Sequence, residues 1–78
     1  MKKFHLVDDG MCSALIEEMC FENESLNTYH MIAITSLKDN KWEKTKKPRK
    51  LKYWTVRNLV QNIEIDESDA IAILLRAR

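Results

Sequence analysis

One glycine and one proline in 78 residues leave this chain little of the punctuation that loops and linkers need. A glycine-rich phosphate cradle is excluded, because Gly10 alone cannot supply the several permissive backbone positions such a loop uses. Cys12 and Cys20 form no CxxC unit, and His5 and His30 form no HxxxH unit, so neither a zinc site nor any other metal is expected. There is no run of 18 apolar residues to span a membrane. The opening stretch, Met1 to Asp9, turns acidic too soon for a signal h-region. These absences read as a cytoplasmic protein with no cofactor and no membrane partner.

Catalytic signatures are equally sparse. His5 and His30 lie 25 residues apart on apolar stretches. Ser13, Cys12 and His5 are close in sequence but lack an orienting third group, and most carboxylates are expected on solvated helix faces. The expectation is a protein that binds rather than an enzyme.

What is present is a composition 45% hydrophobic and 32% charged, that of one compact domain over residues 1–78. At this size burial barely exceeds conformational entropy, so a net stability of roughly 4 to 8 kcal/mol is anticipated and a homodimer would help.

Along the chain, Phe4 and Leu6 alternate in a first strand over Lys2–Val7, and Asp8, Asp9 and Gly10 signal a turn or helix cap. From Met11, the positions Met11, Cys12, Ala14, Leu15, Ile16, Met19 and Cys20 recur at three and four, with Glu17, Glu18 and Glu22 opposite. That spacing predicts an amphipathic helix ending near Asn23, which would hold Cys12 and Cys20 about 12 Å apart as reduced residues. The run Tyr29–Thr35 fits either a buried strand or the middle of a second helix. The β-branched Ile32, Ile34 and Thr35 and the turn-like Lys38–Lys41 favour a strand and hairpin. A returning strand is expected at Leu51–Trp54, with Pro48 marking a break or an edge. Thr55 is placed to cap a helix carrying Val56, Leu59, Val60 and Ile63. Asp66 is placed to cap a last helix with Ala70, Ile73, Leu74 and Ala77 on its core stripe, widened by Ile71 and Leu75. The expected fold class is α+β: an N-terminal strand and helix, a short antiparallel sheet with a basic hairpin, and two C-terminal helices.

Charge is the most informative feature. Between Lys38 and Arg57 nine cations face only Asp39 and Glu43, a local net charge of +7 inside a chain whose total is +1. The other residues therefore carry −6. A concentrated cationic window attracts phosphates or an acidic protein surface whatever the net charge. Lys44, Lys46, Lys47, Arg49, Lys50 and Lys52 are the candidate phosphate contacts. Trp42 and Tyr53 frame them as candidate stacking surfaces for bases, Tyr53 being the better one, because Trp42 and Trp54 also suit the core of so small a domain.

The spacing of Leu59, Val60, Ile65, Asp66, Ala70 and Leu74 over about 24 residues resembles a helix-turn-helix of the winged-helix kind. The resemblance implies a first helix through Leu59 and Val60, a turn at Ile65, and a second helix started by Asp66. It departs from the pattern at Glu64, where such turns usually carry glycine, and the would-be recognition helix begins with Glu67, Ser68 and Asp69, whose two carboxylates repel phosphates. DNA or RNA would then be held by the basic hairpin as a ribbon or wing, with the acidic helix start turned away.

Two functions follow. One is a small nucleic-acid-binding or regulatory protein gripping phosphates through the basic hairpin. The other is a protein-binding inhibitor or adaptor, of the sort small viral genes encode, engaging a host protein through its charged faces.

Overall fold

Leu15 and Ile16 are adjacent in the chain, both fully buried, and belong to two different apolar clusters. Only a strand in the interior of a sheet sends neighbouring side chains to opposite buried faces. In the computed structural model, which describes residues 1–8, 10–51 and 61–78 and not the side chains of Pro48, Arg49 and Gln61, that strand is the centre of a five-stranded antiparallel sheet. The strands are β1 Lys2–Asp8, β2 Ser13–Met19, β3 Thr28–Thr35, β4 Trp42–Leu51 and β5 Gln61–Ile65. One α-helix, α1 Glu67–Arg76, follows β5, and a short 3-10 turn, Glu24–Leu26, precedes β3. Strand order is β4-β3-β2-β1-β5, so β1 to β4 form a meander and β5 crosses to the far side of β1.

This corrects the expected helix over Met11–Asn23. A strand buried on both faces is apolar at successive positions, and across Leu15, Ile16 and Met19 that imitates helical spacing. The Asp8–Gly10 signal is real but leads into a strand. The Asp8 carboxylate accepts the Gly10 N–H at 2.7 Å, and Gly10 adopts φ 92°, a left-handed conformation natural to glycine. Cys12 and Cys20 flank β2 at its two ends rather than sharing a helix.

The expectation of two C-terminal helices is also overturned. Ile63, assigned to the first of them, lies in β5, paired with Leu6 of β1. The rest of that stretch, from Thr55 to Val60, lies outside the described residues. Ile63 and Ile65 alternate with Asn62 and Glu64, a period of two that suits a sheet edge.

Other expectations hold. Lys2–Val7 lies within β1, Tyr29–Thr35 is a strand, and a hairpin joins β3 to β4, although the returning strand is Trp42–Leu51, running through Pro48, where one over Leu51–Trp54 was expected; residues 52–54 lie outside the described residues. Its tip closes through Ser36 N–H to the Lys41 carbonyl at 2.9 Å, with Asn40 at φ 57°. Asn tolerates that region better than most residues. Asp66 occupies the N-cap position of α1 in extended geometry, but without a side-chain cap hydrogen bond.

The helix covers one face of the sheet. Ala70 is buried against Phe4, Leu15 and Ala33, with Ile32, Trp42, Ile65, Ile73 and Leu74 packed around them. On the opposite face Val7, Ile16 and Tyr29 form a second cluster with Ala14, Met31 and Leu51. Fully burying Leu15 and Ile16 contributes roughly 1.5 to 3 kcal/mol each. Ile71 and Leu75, expected to widen the core stripe, are instead 48% and 81% exposed. Among the described residues no helix is long and apolar enough to cross a membrane.

Candidate nucleic-acid interface

Within the basic window, Trp42–Leu51 forms strand β4, at the edge of the described sheet. Its register against β3 is broken: Met31 pairs with Arg49 and Ala33 with Lys44, so Ile32 alone faces the four residues 45–48. The break is a β-bulge, larger than the usual one extra residue. The Thr45 hydroxyl fastens it by donating to the Met31 carbonyl at 3.2 Å.

The consequence is a crowding of charge. Lys44 sits opposite Ala33 and Lys50 opposite His30, three residues apart on β3. At 3.3 to 3.4 Å per residue that is about 10 Å, whereas six residues of regular strand would span about 20 Å. Lys46 and Lys47 project from the bulge between them, and all four lysines are exposed. Like charges about 8 Å apart in water repel by roughly 0.5 kcal/mol per pair, so the patch gains from any anion that enters it.

Among the described residues, none of Lys38, Lys41, Lys44, Lys46, Lys47 and Lys50 forms an ion pair. The two carboxylates of the window are both engaged by Arg78, whose Nη2 lies 3.0 Å from Asp39 Oδ2 and 3.3 Å from Glu43 Oε1. The Asp39 carboxyl is held below its usual value first by the Lys41 backbone N–H and then by the charge of Arg78. Outside the window, Lys2 lies 3.9 Å from Glu17, and Lys3 lies 3.9 Å from Glu64.

Lysines and a proline on an edge strand also deter edge-to-edge aggregation.

Of the residues singled out from sequence, Lys44, Lys46, Lys47 and Lys50 fall together on this edge, and the backbone of Arg49 lies among them. Trp42 begins the strand but packs on the Phe4–Leu15–Ala33–Ala70 cluster, so it serves the core. Lys52 and Tyr53 lie outside the described residues.

A second constellation was not anticipated. Glu18, expected on a solvated helix face, is only 7% exposed and lies on the face away from α1. Its Oε1 is 2.7 Å from Nε2 of His5, and its Oε2 accepts from the Asn27 amide at 2.9 Å. Tyr29, its cross-strand neighbour, is a third side-chain donor. Burial pushes the Glu18 carboxyl up, but the bonds from His5, Tyr29 and Asn27 outweigh it and hold the group below its ordinary range. The other ring nitrogen of His5 is 3.1 Å from Asn62 Oδ1, so both nitrogens are engaged and neither is left for a substrate.

Lys3, Glu18, Glu24, Ser25, Asn27 and Tyr29 line an open groove of about 480 Å³ beside this network. Among the described side chains, none of the β4 lysines lines it. The only sequence signal for the network was the pairing register of His5 with the second strand, which the helical reading of β2 concealed. Among the described residues, no cluster of His, Cys, Asp and Glu could hold a metal ion.

Compared with known proteins, the chain matches no family model, no curated protein and no solved structure significantly.

Proposed function

We propose that this protein binds nucleic acid, holding the phosphate backbone with Lys44, Lys46, Lys47 and Lys50 on the bulged edge strand β4. The observation that carries the reading is the crowding of lysines that form no ion pair among the described residues, while both acids of the window are paired with Arg78. Phosphates recognised this way are read by charge and not by base, so DNA and RNA both qualify and affinity falls steeply with salt. The reading rests on β4 and not on the first turn of α1, where exposed Glu67 and Asp69 oppose phosphate. Base stacking, if it contributes, falls to Tyr53 rather than to Trp42.

The test is fluorescence anisotropy with labelled single- and double-stranded oligonucleotides, comparing the wild type with Lys44→Glu/Lys46→Glu/Lys47→Glu/Lys50→Glu. The reading expects binding that weakens with salt and disappears in the variant. Unchanged binding in the variant removes the idea.

A second reading is favoured by one feature, the exposed pair Ile71 and Leu75 one turn apart on α1. A host protein that presents an apolar patch, or a second copy of the chain, would then be the partner. A stoichiometric protein recovered from nuclease-treated lysate, and lost on Leu75→Lys, supports that reading over the first.

A further inference from the structure

Arg78 lies beyond the end of α1, yet it is tied to the basic edge by backbone and side chain together. Its N–H donates to the Trp42 carbonyl at 3.0 Å, and its carbonyl accepts the Lys44 N–H at 2.9 Å. The residue therefore acts as a one-residue extra strand on the outer side of β4, and it occupies main-chain groups of the two residues that open the basic strand. The same geometry aims the guanidinium at the hairpin tip. Nη2 donates to Asp39 Oδ1 at 3.1 Å, to Asp39 Oδ2 at 3.0 Å and to Glu43 Oε1 at 3.3 Å.

These are contacts across 39 and 35 residues of sequence, and they gather the only two carboxylates of a window that otherwise holds nine cations. Counting Arg78 with the window raises its net charge from +7 to +8. More to the point, a cation already committed to two acids cancels repulsion that phosphates would meet on arrival.

Resting on the nucleic-acid reading above, we propose that Arg78 is the charge-setting residue of that surface. It acts on Asp39 and Glu43 rather than on the ligand, and so it is a positioning residue, not a phosphate contact. With Arg78 in place the edge presents lysines to a phosphodiester backbone; without it, two carboxylates flank the same path.

A purely structural Arg78, one that only pins the end of α1 to the hairpin, makes a different forecast. Breaking the ion pairs from either side would then loosen the edge and change affinity in one direction. Charge-setting requires opposite directions, because Arg78→Gln leaves two bare carboxylates while Asp39→Asn/Glu43→Gln leaves a bare guanidinium.

The experiment measures anisotropy of labelled 20-nucleotide single- and double-stranded DNA at 50 mM salt with the full chain, Arg78→Gln, and Asp39→Asn/Glu43→Gln. Lys2→Gln and Glu17→Gln, which break a surface pair on β1 and β2, control for net charge. Arg78→Gln is expected to weaken binding roughly fivefold and Asp39→Asn/Glu43→Gln to tighten it roughly threefold, with less than twofold change in either control. Affinity that moves the same way in both variants, that does not move, or that moves as much in the controls overturns the proposal. If Arg78→Gln fails to fold by circular dichroism, the tightening in Asp39→Asn/Glu43→Gln remains decisive, and its absence counts against charge-setting. A wild type that binds neither oligonucleotide ends the underlying reading and this inference with it. A wild type whose binding the four-lysine reversal abolishes, but whose affinity ignores Arg78, sinks this inference alone.

Discussion

Replacing His5 by alanine strands the Glu18 carboxylate on the face away from the helix. The His5 and Glu18 side chains are 13% and 9% exposed, so water does little to replace the lost partner. Removing the partner of a buried hydrogen-bonded group typically costs about 1 to 3 kcal/mol, and more where that group is charged. Here Asn27 and Tyr29 still donate to the carboxylate, which lowers the expected cost to about 2 to 3 kcal/mol. In a domain of this length that corresponds to a fall in melting temperature of roughly 10 to 20 °C. Urea unfolding followed by tryptophan fluorescence gives the free energy directly, and the midpoint should drop with an unchanged m-value. A loss below about 1 kcal/mol would refute the claim that this network is a main support of the second face.

The same network fixes a pH dependence. Because the Glu18 carboxyl is held below its ordinary value of 4.5, the native state binds fewer protons than the unfolded chain in mild acid. Its contribution is therefore complete above the unfolded value and is lost as pH falls through the native one. Glu18→Gln should lower stability near neutral pH, where that contribution is complete, and approach the wild type as pH falls below about 4.5, so that its acid limb is flatter; an acid limb as steep as the wild type's would contradict this.

Further expectations concern the core, the hairpin tip and one thiol. Leu15→Ala, at a fully buried position in the central strand, should cost about 3 to 4 kcal/mol in urea titration. Asn40→Ala should destabilise by about 1 kcal/mol, and Asn40→Gly should be neutral or slightly stabilising, because φ at that residue is 57°. Burial and then the nearby Glu18 charge raise the Cys20 thiol above its ordinary value, so its alkylation at pH 8 should be slower than that of a free cysteine peptide.

The sequence was most legible where one signal acted alone. Phe4 and Leu6 alternate beside Lys3 and His5, and β1 formed as read. Ile32, Ile34 and Thr35 favoured a strand over a helix, and the turn after them made the hairpin. Around Leu15 and Ile16 two explanations shared one pattern. A helix with a wide apolar stripe and a strand buried on both faces each place apolar residues side by side, and only the rest of the sheet distinguishes them. The misreading of β2 in turn hid Glu18 from His5, since their contact depends on strand pairing and not on sequence distance.

At the basic edge the cluster of cations was visible, but its density was not. No local pattern announces that four residues of β4 will bulge opposite Ile32, nor that Arg78 will reach back to Asp39 and Glu43. Trp42 illustrates the opposite limit, because an aromatic at the start of a cationic run serves the core equally well and here packs on it.

The central claim is that the bulged edge strand is the surface that meets nucleic acid. Backbone amide NMR of the labelled protein, titrated with a short single-stranded oligonucleotide at 50 mM salt and again at 300 mM, tests it most directly. The account predicts shift changes concentrated at residues 42–51 and the adjoining tip from Ser36 to Lys41, largely reversed at the higher salt. Changes confined to the exposed face of Glu67–Arg76, or a spectrum that does not respond at either salt, would contradict it.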